Sequence, residues 1–422
     1  LCHLDNSTEG IMKIVRRAFS VLVIACMTFF LTCVLAFYIL IVAGASPSLQ
    51  TIWICSAMRT MSHKYLATMF FSDEYIDSIM KANEIDDSGY DSEILSFNKK
   101  SETETETEPE TETEAETETE TETEVETETE PETETETETE TETETEPETE
   151  KETETSKPNR YAYSQETDPV TELEDGEHDY IGEGYSMLED GLYVKEVSGS
   201  TWRGYVMLVE DPLRVKLVDT SQQYTCGENV MTMVTNSGAV AGINGGGFQD
   251  GANYDSNGGM PAGLLIEDSK VVYPYVIDDT VYNMIGINDE GAMVLRHCTA
   301  DWALENNIVS AVSFSPFLVV NGEGLIKNGT GGWGIAPRTA IGQRKTGEFL
   351  LLVIDGRQAD WSIGCDLDVL QEVMLAEDAY NAAMLDGGSS TAMVYSGEYI
   401  NRPSLGHERW INNCFAVMPK NK

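Results

Sequence analysis

Four short stretches of this chain end an apolar run and pass directly into glycines and polar groups. They are Ile243-Asn244-Gly245-Gly246-Gly247-Phe248, Ala336-Pro337-Arg338-Thr339, Val353-Ile354-Asp355-Gly356-Arg357 and Met384-Leu385-Asp386-Gly387-Gly388-Ser389-Ser390-Thr391. Loops at the ends of buried strands commonly carry sites, because a rigid scaffold aims their side chains. Glycine adds to this by letting backbone N–H groups approach a ligand oxygen. Each stretch also has a plainer reading: Asn244 and the glycine triplet suit a tight turn, Asp355-Gly356 a hairpin turn, and Arg338 a surface ion pair. The fourth is hardest to explain as a turn, since turns seldom need two glycines and then three hydroxyls after a buried strand.

Several familiar chemistries are excluded. The G-x-S-x-G of a nucleophile elbow and the G-K-[ST] of a P-loop are absent. Asn253-Tyr254-Asp255-Ser256-Asn257-Gly258 imitates a calcium loop, but the twelfth position holds Leu264 where an EF-hand needs an acid. A looser divalent-cation site, calcium for example, stays open there; no other cofactor and no defined metal ligands are expected. His178, His297 and His407 have no spacing that supports a Ser-His-Asp site. Cys226, Cys298, Cys365 and Cys414 lie too far apart for a zinc cluster, and allow either two disulfides in three pairings or unpaired thiols.

The elements that must position these loops follow from pattern. Short strands are expected at 192–197, 203–210, 214–219, 239–243, 263–266, 271–273, 284–288, 292–296, 309–314, 317–320, 338–343, 348–354, 382–385 and 391–395. Helices are expected at 228–236, stopped by Gly238, at 301–306, and at 367–377 behind the cap Asp366. Many strands, few helices and no regular strand–helix alternation predict an α+β domain with a large mixed sheet over about 178–422. That stretch has a net charge of −16, so an anionic ligand must be held by local arginines or backbone amides rather than by the overall field.

The whole chain, 422 residues with net charge −48, has no basic cluster beyond its N-terminus, which excludes a duplex nucleic-acid binder. Two other pieces precede the domain. Residues 18–43 carry no charge and are long enough as a helix to cross a bilayer. Lys13, Arg16 and Arg17 place the preceding 1–17 in the cytoplasm and the C-terminal domain outside the cell. The run exceeds a signal-peptide core, although Ala43-Gly44-Ala45 is a passable cleavage site, so a cleaved leader is the alternative to a retained single-pass anchor. Residues 1–11 read as translated upstream sequence before Met12-Lys13. Residues 44–90 include apolar positions at helical spacing (Ile52, Trp53, Met58, Met61, Leu66, Met69, Phe70, Ile76) and are expected to form one or two juxtamembrane or partner-docking helices. From Glu102 to Glu154 every even position is Glu and most odd ones are Thr. With nothing apolar to offset chain entropy, 91–177 is expected to be a disordered linker holding the domain away from the bilayer, ~50 Å across as a flexible coil.

Taken together in this order, the domain's motifs resemble the phosphodiester glycosidase family over about 185–419. The resemblance rests on 244–248, Gly259-Met260-Pro261-Ala262-Gly263-Leu264, Pro337-Arg338-Thr339-Ala340-Ile341-Gly342, 355–357, 380–391, Asn401-Arg402-Pro403-Ser404 and Arg409. Departures are two glycines rather than three before the serines, and Arg409-Trp410-Ile411 where many members read Arg-Pro-Val. The resemblance implies hydrolysis of a sugar–phosphate diester at the anomeric carbon, with a phosphomonoester leaving. Phosphate charge then matters more than protonation of the leaving group. It implies Arg338 as phosphate clamp and Asp386, then Asp355, as the carboxylate beside the sugar cation or activating water. Asn244, Gly245, Gly246, Gly247, Thr339, Gly387, Gly388, Ser389, Ser390, Thr391 and Arg409 become substrate-binding residues. The expected substrates are phosphate-linked surface glycans, exopolysaccharide or teichoic-acid-type cell-wall polymers; a glycan-binding or envelope-assembly module without turnover is the alternative.

Overall fold

The computed structural model describes residues 2–59, 63–97, 182–250, 256–327 and 331–420, with side chains from Arg16 onward. The domain is built of three sheets in which every described ladder is antiparallel, so the α+β class holds while the expected mixture of strand directions is replaced by hairpin-like pairing.

The largest sheet has eight strands: β1 (Ser186–Glu189), β2 (Leu192–Ser198), β3 (Arg203–Val209), β11 (Phe317–Val320), β12 (Glu323–Gly324), β13 (Arg338–Arg344), β14 (Phe349–Ile354) and β15 (Ala379–Met384). Their spatial order is β1-β2-β3-β14-β13-β15-β11-β12. The second sheet, in order β7-β6-β10-β8-β9, uses β6 (Leu265–Glu267), β7 (Lys270–Tyr273), β8 (Tyr282–Asn288), β9 (Met293–Cys298) and β10 (Ile308–Ser313). The third, in order β17-β16-β5-β18-β4, uses β4 (Val215–Asp219), β5 (Ala241–Asn244), β16 (Met393–Tyr395), β17 (Glu398–Tyr399) and β18 (Asn413–Val417).

The central strands read as unbroken apolar runs because both of their faces are covered. In β14, Phe349, Leu351 and Val353 enter a core shared with the other two sheets, while Leu350, Leu352 and Ile354 face the layer under helix α7 (Leu367–Ala376). Helix α5 (Val230–Ser237) covers the third sheet and ends at Gly238 in the left-handed region; α6 (Ala300–Glu305) covers the second. Asn229, Thr299 and Asp366 accept hydrogen bonds from the first turns of α5, α6 and α7. Cys226, Cys298, Cys365 and Cys414 form no disulfide.

The antiparallel register brings three of the four sequence stretches to one end of the central strands of the large sheet. Arg338 at the start of β13 pairs with Ile354 at the end of β14, and Ala340 pairs with Met384 at the end of β15. Arg357 and Asp386 follow directly from those two strand ends.

Ahead of the domain, helix α1 (Cys2–Phe37) runs into a π-helical turn, Tyr38–Val42; the stretch Arg16–Val42 is long and apolar enough to cross a membrane, and its side chains are exposed except at Phe37, Ile41 and Val42. The expected juxtamembrane helices are α2 (Pro47–Arg59) and α4 (Asp73–Ala82), with a single turn, α3 (Tyr65–Thr68), between them. Ile54, Ala57, Ala67 and Ile76 form their buried seam. Phe37 stacks edge-on against Trp53 and Phe70, and Gln50 donates to the Ile41 carbonyl at 2.7 Å, so this hairpin is packed onto the end of the apolar helix.

The next residues lie on the domain. Asp87 accepts from Asn283 and from the Phe317 amide, Ser92 pairs with Leu295, and Tyr380 donates to Glu93. Phe97 then abuts Gly347, and Gly182, where the described chain resumes, abuts Arg344. Phe97 and Gly182 thus both lie near the β13–β14 turn. The Glu/Thr repeat expected to act as a linker falls within 98–181, outside the described residues.

Replacing Leu351 by Ala opens a cavity in the core shared by the three sheets. It is expected to cost about 2–5 kcal/mol, read as a lowered urea midpoint; an unchanged midpoint would contradict its burial there.

Candidate active site

Three loops and one helix end line a cavity of about 80 Å³. Its lining includes Ser56, Arg59, Trp333, Arg338, Arg357, Asp386, Gly387, Gly388 and Ser389. The volume holds several waters or a phosphate-sized anion, but is well below the ~300 Å³ at which small-molecule sites begin. A sugar must therefore extend outward or displace a wall.

Asp386 is held by its own loop and by the third sheet. Its amide donates to the Gly245 carbonyl at 3.1 Å, and its carbonyl accepts from the Asn244 amide side chain at 2.6 Å. The carboxylate accepts from the Gly387 amide at 3.0 Å and from the Ser390 hydroxyl. Burial pushes its pKa up to about 6, against these hydrogen bonds and the nearby Arg409 guanidinium. A carboxyl group poised there can stabilise cationic character or exchange a proton near neutral pH.

Arg338 is buried, and most of its guanidinium is already engaged. Nε donates to the Cys365 carbonyl at 3.2 Å, and Nη2 donates to the carbonyls of Trp333 and Gly334 at 2.9 and 2.6 Å. Nη1 has only the Met384 sulfur at 4.0 Å, and both residues line the cavity. Burial pushes its pKa down to about 10, so it is charged at neutral pH. It supplies a fixed charge and one amino group to the cavity while bracing the wall behind it.

Arg357, which carried only the motif Asp355-Gly356-Arg357 in the sequence, is the more available guanidinium. It is exposed, lies at φ 62°, and makes no side-chain hydrogen bond or ion pair among the described residues. A non-glycine residue in the left-handed region is costly and tends to occur at functional positions. Its guanidinium lies against Gly388, where a Cβ would sit 3.1 Å from Nη2 and where φ is +64°, so the second glycine of Asp386-Gly387-Gly388 makes room for it. The reading of Arg338 as clamp is extended to a pair in which Arg357 has the free donors.

Other expected site residues have different work. Asp355 is buried away from the cavity lining and both oxygens are taken: Asn401 and the Arg402 amide on one, Trp361 and the same amide on the other. Burial raises its pKa. The second carboxylate of the sequence reading is thus a fastener of the 401–402 turn, not a partner to Asp386. Asn244, Thr339 and Thr391 form a buried web under the Asp386 loop: Asn244 Oδ1 accepts from the Thr339 hydroxyl at 2.7 Å and the Ala392 amide at 3.1 Å, and the two threonine hydroxyls are 3.3 Å apart. They position the loop rather than contact the cavity. Gly245 and Gly246 meet Asn413, and Gly247 meets Phe314; none lines the cavity. Arg409 pairs with Asp250 at 2.5 Å and stacks on Phe248, within electrostatic reach of Asp386. Ser389, Gly387 and Gly388 line the cavity as expected, and Ser390 reaches it through Asp386. Of the calcium-like stretch, 253–255 lie outside the described residues, and among the described residues no group of three acidic, His or Cys side chains is placed to hold a metal.

Arg59 and Trp333 were missed by sequence reasoning. Trp333 gave no motif, and Arg59 lies 279 residues from Arg338 in a segment whose only legible signal was its apolar periodicity.

Residues 237–418 match the family model described as phosphodiester glycosidase. Over this stretch the chain is similar to that family. Its members are hydrolases of that type. Similar proteins include the SPbeta prophage-derived uncharacterized protein YomE of Bacillus subtilis (28% identical over 239 residues, 53% of this chain and 36% of that protein). The N-acetylglucosamine-1-phosphodiester alpha-N-acetylglucosaminidase of Mus musculus is 24% identical over 231 residues, 50% of this chain and 43% of that protein. The chain thus spans less than half the length of these relatives. Among solved structures, the zebrafish N-acetylglucosamine-1-phosphodiester alpha-N-acetylglucosaminidase catalytic domain, auto-inhibited by its pro-peptide, aligns with TM-score 0.45 and 25% identity over 54% of this chain and 82% of that one.

The two arginines separate by stability. Arg338→Ala removes the donor that the Trp333 and Gly334 carbonyls share, while the Cys365 carbonyl keeps the Ala336 amide, and is expected to destabilise by about 2 kcal/mol or more. Arg357→Ala is expected to unfold within about 0.5 kcal/mol of the parent. Thermal unfolding of both variants checks this, and equal melting temperatures would contradict the bracing role.

Proposed function

We propose that the domain is a glycosidase that hydrolyses a sugar-1-phospho diester, held outside the cell by its N-terminal apolar helix as a single-pass anchor. Its substrates would be phosphate-linked surface glycans, exopolysaccharide or teichoic-acid-type polymers. The observation that carries the reading is one carboxylate, Asp386, sharing a phosphate-sized cavity with the guanidiniums of Arg338 and Arg357.

In this mechanism the arginines bind the bridging phosphate and offset the charge that accumulates on it as the bond from the anomeric carbon to the phosphate oxygen breaks. Asp386, as the carboxylate, faces the developing oxocarbenium centre or takes the proton of the incoming water. Water adds its oxygen to the anomeric carbon, so sugar and phosphomonoester leave as separate products. Ser389 and the Gly387–Gly388 backbone lie where they can donate to phosphate oxygens. A divalent cation is compatible with this scheme and is not required by any step of it.

The test is release of reducing sugar from a panel of nucleotide sugars and sugar phosphodiesters by the full chain in detergent. Turnover by the parent and at least about a hundredfold loss in Asp386→Asn support the reading; binding without release favours a glycan-binding module. Because Asp386 must be ionised, activity is expected to fall as the pH drops through about 6. A profile flat from pH 5 to 8 would remove Asp386 from this role.

A further inference from the structure

The juxtamembrane helix α2 ends inside the candidate active site. Ser56 packs against Gly334, which lies at φ +63° and has no room for a Cβ beside the Ser56 backbone, and the Ser56 hydroxyl accepts from the Ile335 amide at 3.0 Å. One turn on, Arg59 is aimed over the cavity: its guanidinium lies 4.2 Å from the centroid of the Trp333 ring, and Nε donates to the Gly332 carbonyl at 3.3 Å. The same indole is 5.9 Å from the Arg338 guanidinium. Trp333 therefore holds two cations beside one small volume, and Arg357 brings a third.

Like charges brought together in a low-dielectric wall repel unless an anion joins them. Of the carboxylates around this group, Asp386 lies in the lining, Glu84 near Arg59, and Asp366 near Arg338. None is within ion-pair distance of any of the three arginines among the described residues. A helix needing only to pack could have ended on an apolar residue, as its buried seam at Ile54 and Ala57 does.

We propose that Arg59 is a substrate-phosphate-binding residue, supplied to the site by the segment that joins the apolar helix to the domain. The proposal rests on the reading of this cavity as the phosphodiester site and adds a residue from outside the matched family region. The guanidinium donates its terminal N–H groups to a phosphate oxygen across the cavity from Arg357, and Trp333 keeps it there by stacking.

The probe is inorganic phosphate, titrated calorimetrically into the full chain in detergent, with sugar release measured alongside. Arg59→Gln is expected to weaken phosphate binding about tenfold and to raise KM more than it lowers kcat. Arg59→Lys should recover part of the affinity, and Tyr75→Phe, which loosens the hairpin at Gln50 away from the cavity, should leave it unchanged. Unchanged phosphate affinity in Arg59→Gln would overturn the proposal, as would a wild type that binds no phosphate. Faster turnover in Arg59→Gln would overturn it too, since α2 would then be a plug. Arg59-dependent phosphate binding with no sugar release from any substrate would leave the anion site standing and remove the glycosidase reading instead.

Discussion

The arrangement depends on one join between two sheets. Where β5 ends, the Asn244 side chain and the Gly245 carbonyl clasp the backbone of Asp386 from both sides. Asn244 is fully buried, and its remaining oxygen is filled by Thr339 and Ala392, so the amide has one orientation that satisfies every partner. A buried polar web of this kind is costly when incomplete and rigid when complete. It fixes the Asp386 carboxylate relative to strands β13 and β15, whose ends carry Arg338 and Met384 of the cavity lining.

Around that carboxylate the charge is lopsided. Burial raises the proton affinity of Asp386 and lowers that of Arg338, so the fold holds both kinds of charge at some expense. Arg338 recovers part of it by hydrogen bonding three backbone carbonyls, which is why it is embedded in the wall. Arg357 sits in a strained backbone conformation. An anionic group in the cavity is the partner that this distribution of charge suits, which agrees with a family defined by phosphodiester substrates.

The described residues ahead of the acidic repeat are themselves attached to the domain: α2 reaches the cavity through Ser56 and Arg59, and Asp87, Ser92 and Glu93 are hydrogen-bonded to the sheets. The apolar helix, the hairpin and the cavity loops are thereby packed in series.

Much of the molecule was legible in the amino-acid order. Apolar runs, capping residues such as Asp366 and Gly238, and the strand-end glycine loops are local signals, so the strands, helices and the Asp386-Gly387-Gly388 loop could be read directly. The antiparallel order of the strands could not, because period-two patterns do not say which neighbour a strand takes. Likewise the types of Asp355 and Asn244 marked them as polar and strand-terminal, but only tertiary packing decided that Asp355 is consumed by Asn401, Arg402 and Trp361 while Asp386 faces the cavity. Arg59 belongs wholly to the second kind of information: its place beside Trp333 depends on a contact across 274 positions of chain, and no local pattern encodes such a distance.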